Sequence, residues 1–247
     1  MMRYFIRFSY NGKGYCGWQR QPNALSVQEV IEGALSKVLG RETSVTGAGR
    51  TDAGVHAMCM YAHFDTLNPI ADTGKLLRSL NHLCGKQIAF QEIIPVADDA
   101  HARFDATERT YKYFVNTEKS PFTSELAWQA PYKLDYDLMN KAAEILLTVS
   151  DFTSFSKLHT DVKTNICNVT HAHWEPYSQG WVFTITADRF LRNMVRAVVG
   201  TLVDVGRKKI TIEDFRRIIE QKDRCAAGTS MPGHALYLWN VKYPYIK

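Results

Sequence analysis

The stretch Gly47-Ala48-Gly49-Arg50-Thr51-Asp52-Ala53-Gly54-Val55-His56 concentrates the groups most able to do chemistry. Glycines at 47, 49 and 54 permit unusual backbone angles and close approach by another molecule. Between them stand a guanidinium, Arg50, and a carboxylate, Asp52, two positions apart. Spacing excludes a phosphate-cradling loop. The third residue after Gly49 is Asp52 rather than glycine, and no Gly-Lys-Ser/Thr follows. On the residues alone Asp52 has two readings. It closes an Asx-turn or caps a helix start, or it is a carboxylate held out toward a ligand.

Periodicity over residues 190–205 predicts a helix with Leu191, Met194, Val195, Val198 and Leu202 on a core-facing stripe. Arg192 and Arg196 border that stripe, with Arg189 nearby. Such guanidiniums either snorkel to water, or one is held in a cleft where its fork meets a carboxylate. In Arg109-Thr110-Tyr111-Lys112-Tyr113, strand alternation puts Tyr111, Tyr113 and Val115 on one face. Packing is the commoner role for such tyrosines, and the same pattern describes a platform for stacking nucleobases. The runs Arg207-Lys208-Lys209 and Arg216-Arg217 suit either a solvated face or a phosphate-contacting one. His171 and His173 share a strand face without a third ligand at a recognisable spacing, so no metal site is expected. There is no Gly-x-Ser-x-Gly elbow.

The elements that must position these groups are strands and helices in both halves. Tyr4, Ile6, Phe8 and Tyr10 alternate with polar residues as a half-buried strand does. Residues 26–40 form a helix that opens on a Ser26/Glu29 capping box and stops at Gly40. Its stripe is Val27, Val30, Ile31, Ala34, Leu35 and Val38. Further helices are predicted over 72–82, 135–148 and 211–221. Strands are predicted over 43–46, 88–96, 109–116, 166–174, 181–187 and 236–243, with a hairpin turn at 176–180. This mixture argues an α+β fold whose two halves have comparable element content.

The chain of 247 residues carries 30 Lys and Arg against 25 Asp and Glu, a net charge of +5. That is compatible with a polyanionic partner. With 45% hydrophobic and 22% charged residues, disordered, collagen-like and coiled-coil classes are excluded. Five cysteines, an odd number with no Cys-x-x-Cys, argue for a reducing compartment and read as small buried hydrophobes. No secretory apolar segment or membrane-length apolar run occurs, so a cytoplasmic protein without a membrane partner is expected.

At Gly49-Arg50-Thr51-Asp52-Ala53-Gly54-Val55-His56-Ala57 the sequence resembles the tRNA pseudouridine synthase A family. Tyr10-Asn11-Gly12 and Gly17-Trp18-Gln19-Arg20-Gln21 are similar to its N-terminal signature, and Val27-Gln28-Glu29 follows in place. His101-Ala102-Arg103-Phe104 leading to Tyr111-Lys112-Tyr113 resembles its central segment. Asp151-Phe152-Thr153-Ser154-Phe155, then Phe190-Leu191, Met194-Val195-Arg196 and Val199-Gly200 match later motifs. Leu236-Tyr237-Leu238 through Tyr243-Pro244 resembles the closing strand. Asn11 stands where the family usually has Asp and Ala235 where it often has Gly, and residues 81–88 depart from an Asn…Leu-Pro-x-Asp-Ile pattern.

The resemblance implies a pseudouridine synthase fold. Two similar lobes, 1–105 and 106–247, would carry mixed, mainly antiparallel sheet flanked by helices, around a central RNA-binding cleft. Lobe 1–105 would hold the Asp52 loop, and lobe 106–247 would hold Tyr111, the Arg196 helix and the last strand. The implied reaction turns uridine into pseudouridine at positions 38, 39 and 40 in the anticodon arm of tRNA, with no cofactor and no metal. Asp52 would be the nucleophile. Attack at C1′, addition at C6 and a glycal route all need its carboxylate ionised beside base and sugar. Sealing it under RNA favours the neutral acid, whereas a guanidinium favours the ionised form, and by resemblance Arg196 supplies that guanidinium. Arg50 would hold the space left by the flipped base. Tyr111 would stack on the uracil, with Leu238 as an apolar wall against it. A homodimer is implied as well. Two other classes remain distinct in what they predict: an RNA-binding module without turnover, and a nucleotide-dependent enzyme that uses the glycine-rich loop.

Overall fold

A computed structural model describes residues 1–157 and 164–246. The chain forms two compact units, Met1–Thr107 with Leu238–Lys247, and Glu108–Tyr237.

In the first unit β1 (Met2–Tyr10) is followed by α1 (Val27–Leu39), β2 (Thr46–Gly47), β3 (His56–Thr66), α2 (Thr73–Leu83) and β4 (Ile88–Val96). β1 lies between β3 and β4, antiparallel to both. Its Phe5, Ile6 and Phe8 are fully buried, while Arg3, Arg7 and Ser9 on the face of Phe5 are half-buried. Ser26 caps α1 by accepting from the Glu29 N–H, and Gly40 ends it in the left-handed conformation at φ 67°. Val27, Ile31, Ala34 and Leu35 are buried, whereas Val38, at the far edge of the expected stripe, is 36% exposed. Asp72 caps α2.

In the second unit β5 (Glu108–Asn116) is followed by β6 (Trp128–Gln129), α3 (Tyr136–Ile145), β7 (Val169–Tyr177), β8 (Gly180–Ala187), α4 (Met194–Gly206) and α5 (Ile212–Gln221). β8 lies between β5 and β7 with antiparallel pairing on both sides, and β6 adds one short parallel pair to β5. The expected hairpin closes at Tyr177↔Gly180. Tyr113, Val115, Phe183, Ile185, Ala172 and Trp174 share the face that forms the core, and Tyr136 of α3 stacks on Trp181 at 4.1 Å. Thr211 and Asp214 complete a reciprocal capping box at the start of α5. The architecture is α+β with mixed, mainly antiparallel pairing.

The last strand, β9 (Leu236–Lys242), lies beside β3. From Leu238 onward it groups with the first unit, not with the residues that precede it in sequence. The Tyr243 hydroxyl ties it there, donating to the Ala102 carbonyl at 2.5 Å.

Three expectations differ from what is observed. β3, eleven residues long, was not anticipated, because most of its side chains on both faces are buried and alternation is erased. The short strand expected over 43–46 is instead the two-residue β2. The helix expected over 190–205 begins at Met194, because Asn193 stands in the left-handed conformation at φ 66°. Arg192 therefore precedes the helix, and the two arginines do not share a helical face. α4 is buried nearly all round, with Arg196 and Asp204 as its less buried positions.

Candidate active site

The Asp52 loop is shaped by the segment that follows β1. Gly17, at φ 101°, lies so close that a β-carbon there would stand 2.4 Å from the Thr51 carbonyl oxygen. A β-carbon on Gly12 would stand 2.1 Å from the Val55 carbonyl oxygen. Hydrogen bonds hold the two segments together. The Trp18 N–H donates to the Thr51 carbonyl at 3.1 Å, and the Gly12 N–H to His56 Nδ1 at 3.0 Å. The buried hydroxyls of Tyr10 and Thr51 meet at 2.8 Å. Gly47 has its own reason to be glycine, since a β-carbon would come 2.6 Å from the Trp18 ring.

Within the loop the Val55 N–H donates back to the Asp52 carbonyl at 3.1 Å, closing a turn that leads into β3. The element that follows is a strand, so Asp52 caps no helix. Asp52 is half-buried, between buried Thr51 and exposed Ala53. Arg50 is exposed. Leu238, in the same unit, is buried in β9 at 2% exposure.

Tyr111 and Arg196 belong to the second unit. Tyr111 lies opposite Ile185 in β8, half-buried, with Phe190 set edge-on to its ring at 5.1 Å. Tyr113, two residues on, is fully buried and donates to the Pro232 carbonyl at 3.2 Å. Burial drives its phenol far above the ordinary range, against the pull of the Arg196 charge, so Tyr113 stays protonated.

Arg196 is fixed through its neighbour Met231. Its Nε donates to the Met231 carbonyl at 2.5 Å, and the Met231 N–H donates to the Arg196 carbonyl at 3.1 Å. The segment carrying Met231 is itself stitched down. Arg224 donates to the Gly228 carbonyl at 3.2 Å and to Ser230 Oγ at 2.8 Å, and Asn193 Nδ2 donates to Ser230 Oγ at 2.6 Å. Gly200 lets this segment lie against α4, because a β-carbon there would come 1.9 Å from the Thr229 carbonyl oxygen.

Sequence reasoning named Asp52, Arg50, Tyr111, Arg196 and Leu238 but gave no part to Thr51, His56, Gly200 or Met231. Their roles are hydrogen bonds and clearances between residues far apart in sequence, which no local pattern reports. The cysteines are more varied than expected. Cys84 and Cys167 are buried, and burial pushes their thiols up to about 11 and about 12. Cys225 is exposed, and Cys16 and Cys59 are half-buried. His171 and His173 are exposed with ring centroids 6.4 Å apart, and among the described residues no group of three metal-ligating side chains occurs. Among the same residues no helix is long and apolar enough to cross a membrane.

Residues 7–105 and 142–244 match the family described as tRNA pseudouridine synthase. The chain belongs to that family. Its members are isomerases, and this synthase is an enzyme of that class. Asp52, Arg50, Arg196 and Leu238 lie inside the matched stretches, while Tyr111 lies in the interval between them. Relatives carry the similarity through that interval. A tRNA pseudouridine synthase A of Parabacteroides distasonis is 58% identical over 244 residues, covering 99% of this chain and 97% of the relative. One from Bacteroides thetaiotaomicron is 58% identical over 247 residues, covering 99% and 91%. A more distant one from Nitrosomonas europaea is 39% identical over 243 residues, covering 96% and 88%.

Proposed function

We propose that this synthase isomerises uridine to pseudouridine at positions 38, 39 and 40 of the tRNA anticodon arm, with Asp52 as nucleophile on a flipped-out uridine. The observation that carries the reading is the Asp52 loop. A half-buried carboxylate sits on a turn whose preceding residue, Thr51, is held by Tyr10 and Trp18. Catalysis by a fixed carboxylate needs such prior orientation.

The atoms balance without a cofactor. The N1–C1′ bond breaks, the uracil turns, and C5 bonds to C1′. C5 releases its hydrogen as a proton and N1 gains one. Extruding the base costs a few kcal/mol. Arg50, exposed beside Asp52, occupies the vacated space. Tyr111 stacks on the uracil, worth about 1–3 kcal/mol, and Leu238 supplies an apolar wall. Arg196 keeps the Asp52 carboxylate ionised once RNA excludes water. The tRNA lies in a cleft shared within a homodimer, where two chains of net charge +5 double the basic surface. The enzyme works in the cytoplasm.

Tritium release from tRNA labelled at uridine C5 tests this, because C5 loses its hydrogen only on becoming the glycosidic carbon. Wild type is expected to release tritium, and Asp52→Asn to release none while still binding tRNA. Release by Asp52→Asn at the wild-type rate would remove Asp52 from its role. Sequencing the modified sites tests positions 38, 39 and 40.

A further inference from the structure

At the end that meets the Asp52 loop, β1 pairs with a bulged neighbour on both sides. Against β3 the pairing runs Phe8↔Met60 and then Tyr10↔Ala57, so two steps on β1 answer three on β3. Against β4 it runs Arg7↔Glu92 and then Phe8↔Phe90, so one step answers two. Each neighbour carries one extra residue within the span Arg7–Tyr10. A bulge bends the strand that carries the extra residue, here β3 and β4, and raises the local twist, and bulges gather next to active sites.

The β1 side chain that closes this span is Tyr10, paired with Ala57 on one side and Ile88 on the other. Its ring is in the core, 4% exposed and stacked near Phe8 with centroids 6.1 Å apart. Ring burial alone would be served equally by phenylalanine. The hydroxyl instead reaches Thr51 Oγ1, itself on a residue only 8% exposed, at 2.8 Å. Thr51 is then held at two points, by Tyr10 through its side chain and by the Trp18 N–H through its carbonyl, while Gly17 leaves no room for it to shift toward the N-terminal segment. The next residue in the chain is Asp52. A residue so held has little freedom in the dihedrals that aim its neighbour.

We infer that Tyr10 is a positioning residue for the reaction: its hydroxyl, through Thr51, sets the direction in which the Asp52 carboxylate is presented. This rests on the proposed role of Asp52. Tyr10 touches Thr51 and takes no proton from the substrate. Its contribution belongs to turnover, because the tRNA is gripped elsewhere while the carboxylate must meet one carbon of one sugar. A misplacement of about 1 Å can cost about a hundredfold in rate.

The test is single-turnover and steady-state tritium release by the full chain, with tRNA affinity measured by filter binding and folding by thermal melting. Tyr10→Phe keeps the ring and removes the hydroxyl. It is expected to lower kcat by about ten- to a hundredfold and to leave tRNA Kd within about twofold. Thr51→Val is expected to match it, and Thr51→Ser, which restores a hydroxyl, to recover most of the rate. The double variant Tyr10→Phe/Thr51→Val should be no slower than either single one, because the same bond is removed in each. A Tyr10→Phe enzyme with wild-type kcat would overturn the inference, as would multiplicative effects in the double variant or a loss confined to tRNA affinity. Asp52→Asn is run beside them. If it retains activity, the role of Asp52 itself fails; if it is inactive and Tyr10→Phe is fully active, only the positioning role of Tyr10 fails.

Discussion

Gly17 and Thr51 are in close backbone approach: the Thr51 carbonyl oxygen stands 2.4 Å from where the β-carbon of any side chain at position 17 would begin. Gly17 also stands at φ 101°, a conformation other residues adopt only under strain. Gly17→Ala is therefore expected to force the N-terminal segment and the Asp52 loop apart. The cost should be at least about 1–3 kcal/mol of stability from the backbone angle alone, with activity falling further than stability explains. Urea unfolding and tritium release, measured on the same preparation, check both.

Two helical glycines should respond in opposite directions. A β-carbon on Gly33 of α1 meets nothing within 4 Å, so Gly33→Ala should raise stability by about 0.5–1 kcal/mol with no change in rate. Gly200 of α4 has the Thr229 carbonyl oxygen at 1.9 Å from the same position. Gly200→Ala should push the segment carrying Met231 off the helix, loosen Arg196, and lower both the melting temperature and kcat. Thermal melts of the two variants side by side would show the contrast.

Arg196 and Tyr111 can be separated by chemistry. Arg196→Met removes the charge while filling similar space, and it is expected to lower kcat by more than tenfold while changing tRNA Kd little. Equal losses in both would count against its role beside Asp52. Tyr111→Phe keeps the ring that stacks and removes the hydroxyl. A rate that survives in Phe and falls in Ala assigns Tyr111 to stacking, worth about 1–3 kcal/mol; a rate that falls in both assigns it to proton transfer.

Stability should decline in mild acid because of His63. It is buried, and burial first, then the charges of Arg3 and His101, lower its pKa from 6.5 to about 4. Its Nδ1 accepts from the Ala102 N–H at 3.1 Å, a bond available only to the neutral ring. The unfolded chain binds this proton near pH 6.5 and the folded chain does not, so stability is full above that pH and is lost as pH falls toward 4. The difference corresponds to about 3 kcal/mol. His101, lowered in the same direction chiefly by burial, adds to the slope. Urea titrations between pH 7 and 4.5 should show it, and His63→Gln should flatten it.

Local patterns in the chain revealed most of the elements, because their signals are local. Ser26, Gly40, Asp72 and Asp135 mark helix ends by short-range hydrogen bonds and backbone angles that their residue types favour. β3 was hidden because a strand buried on both faces has no alternation. The start of α4 was misplaced because Asn193 interrupts an apolar pattern that runs on unchanged through it. At the site, Asp52 stood out through the motif that contains it. The bond from Tyr10 to Thr51 joins residues 41 apart, at the end of a span where β1 pairs with bulged neighbours, and bulges are differences in residue count between paired strands. No window on one strand contains that count.

The placement of β9 has a consequence for how the chain is made. β3 receives its partner on one side only after the 130 residues of the second unit, 108–237, have been synthesised. At about 5–20 residues per second that interval lasts on the order of ten seconds. During it, outside the two residues matched by β2, the edge of β3 emerges unpaired, a strand whose Met60, Ala62 and Phe64 are fully buried once folding is complete. Such an edge is a template for pairing with other chains. The half of the enzyme that carries Asp52 is thus completed only by residues synthesised after the whole second unit.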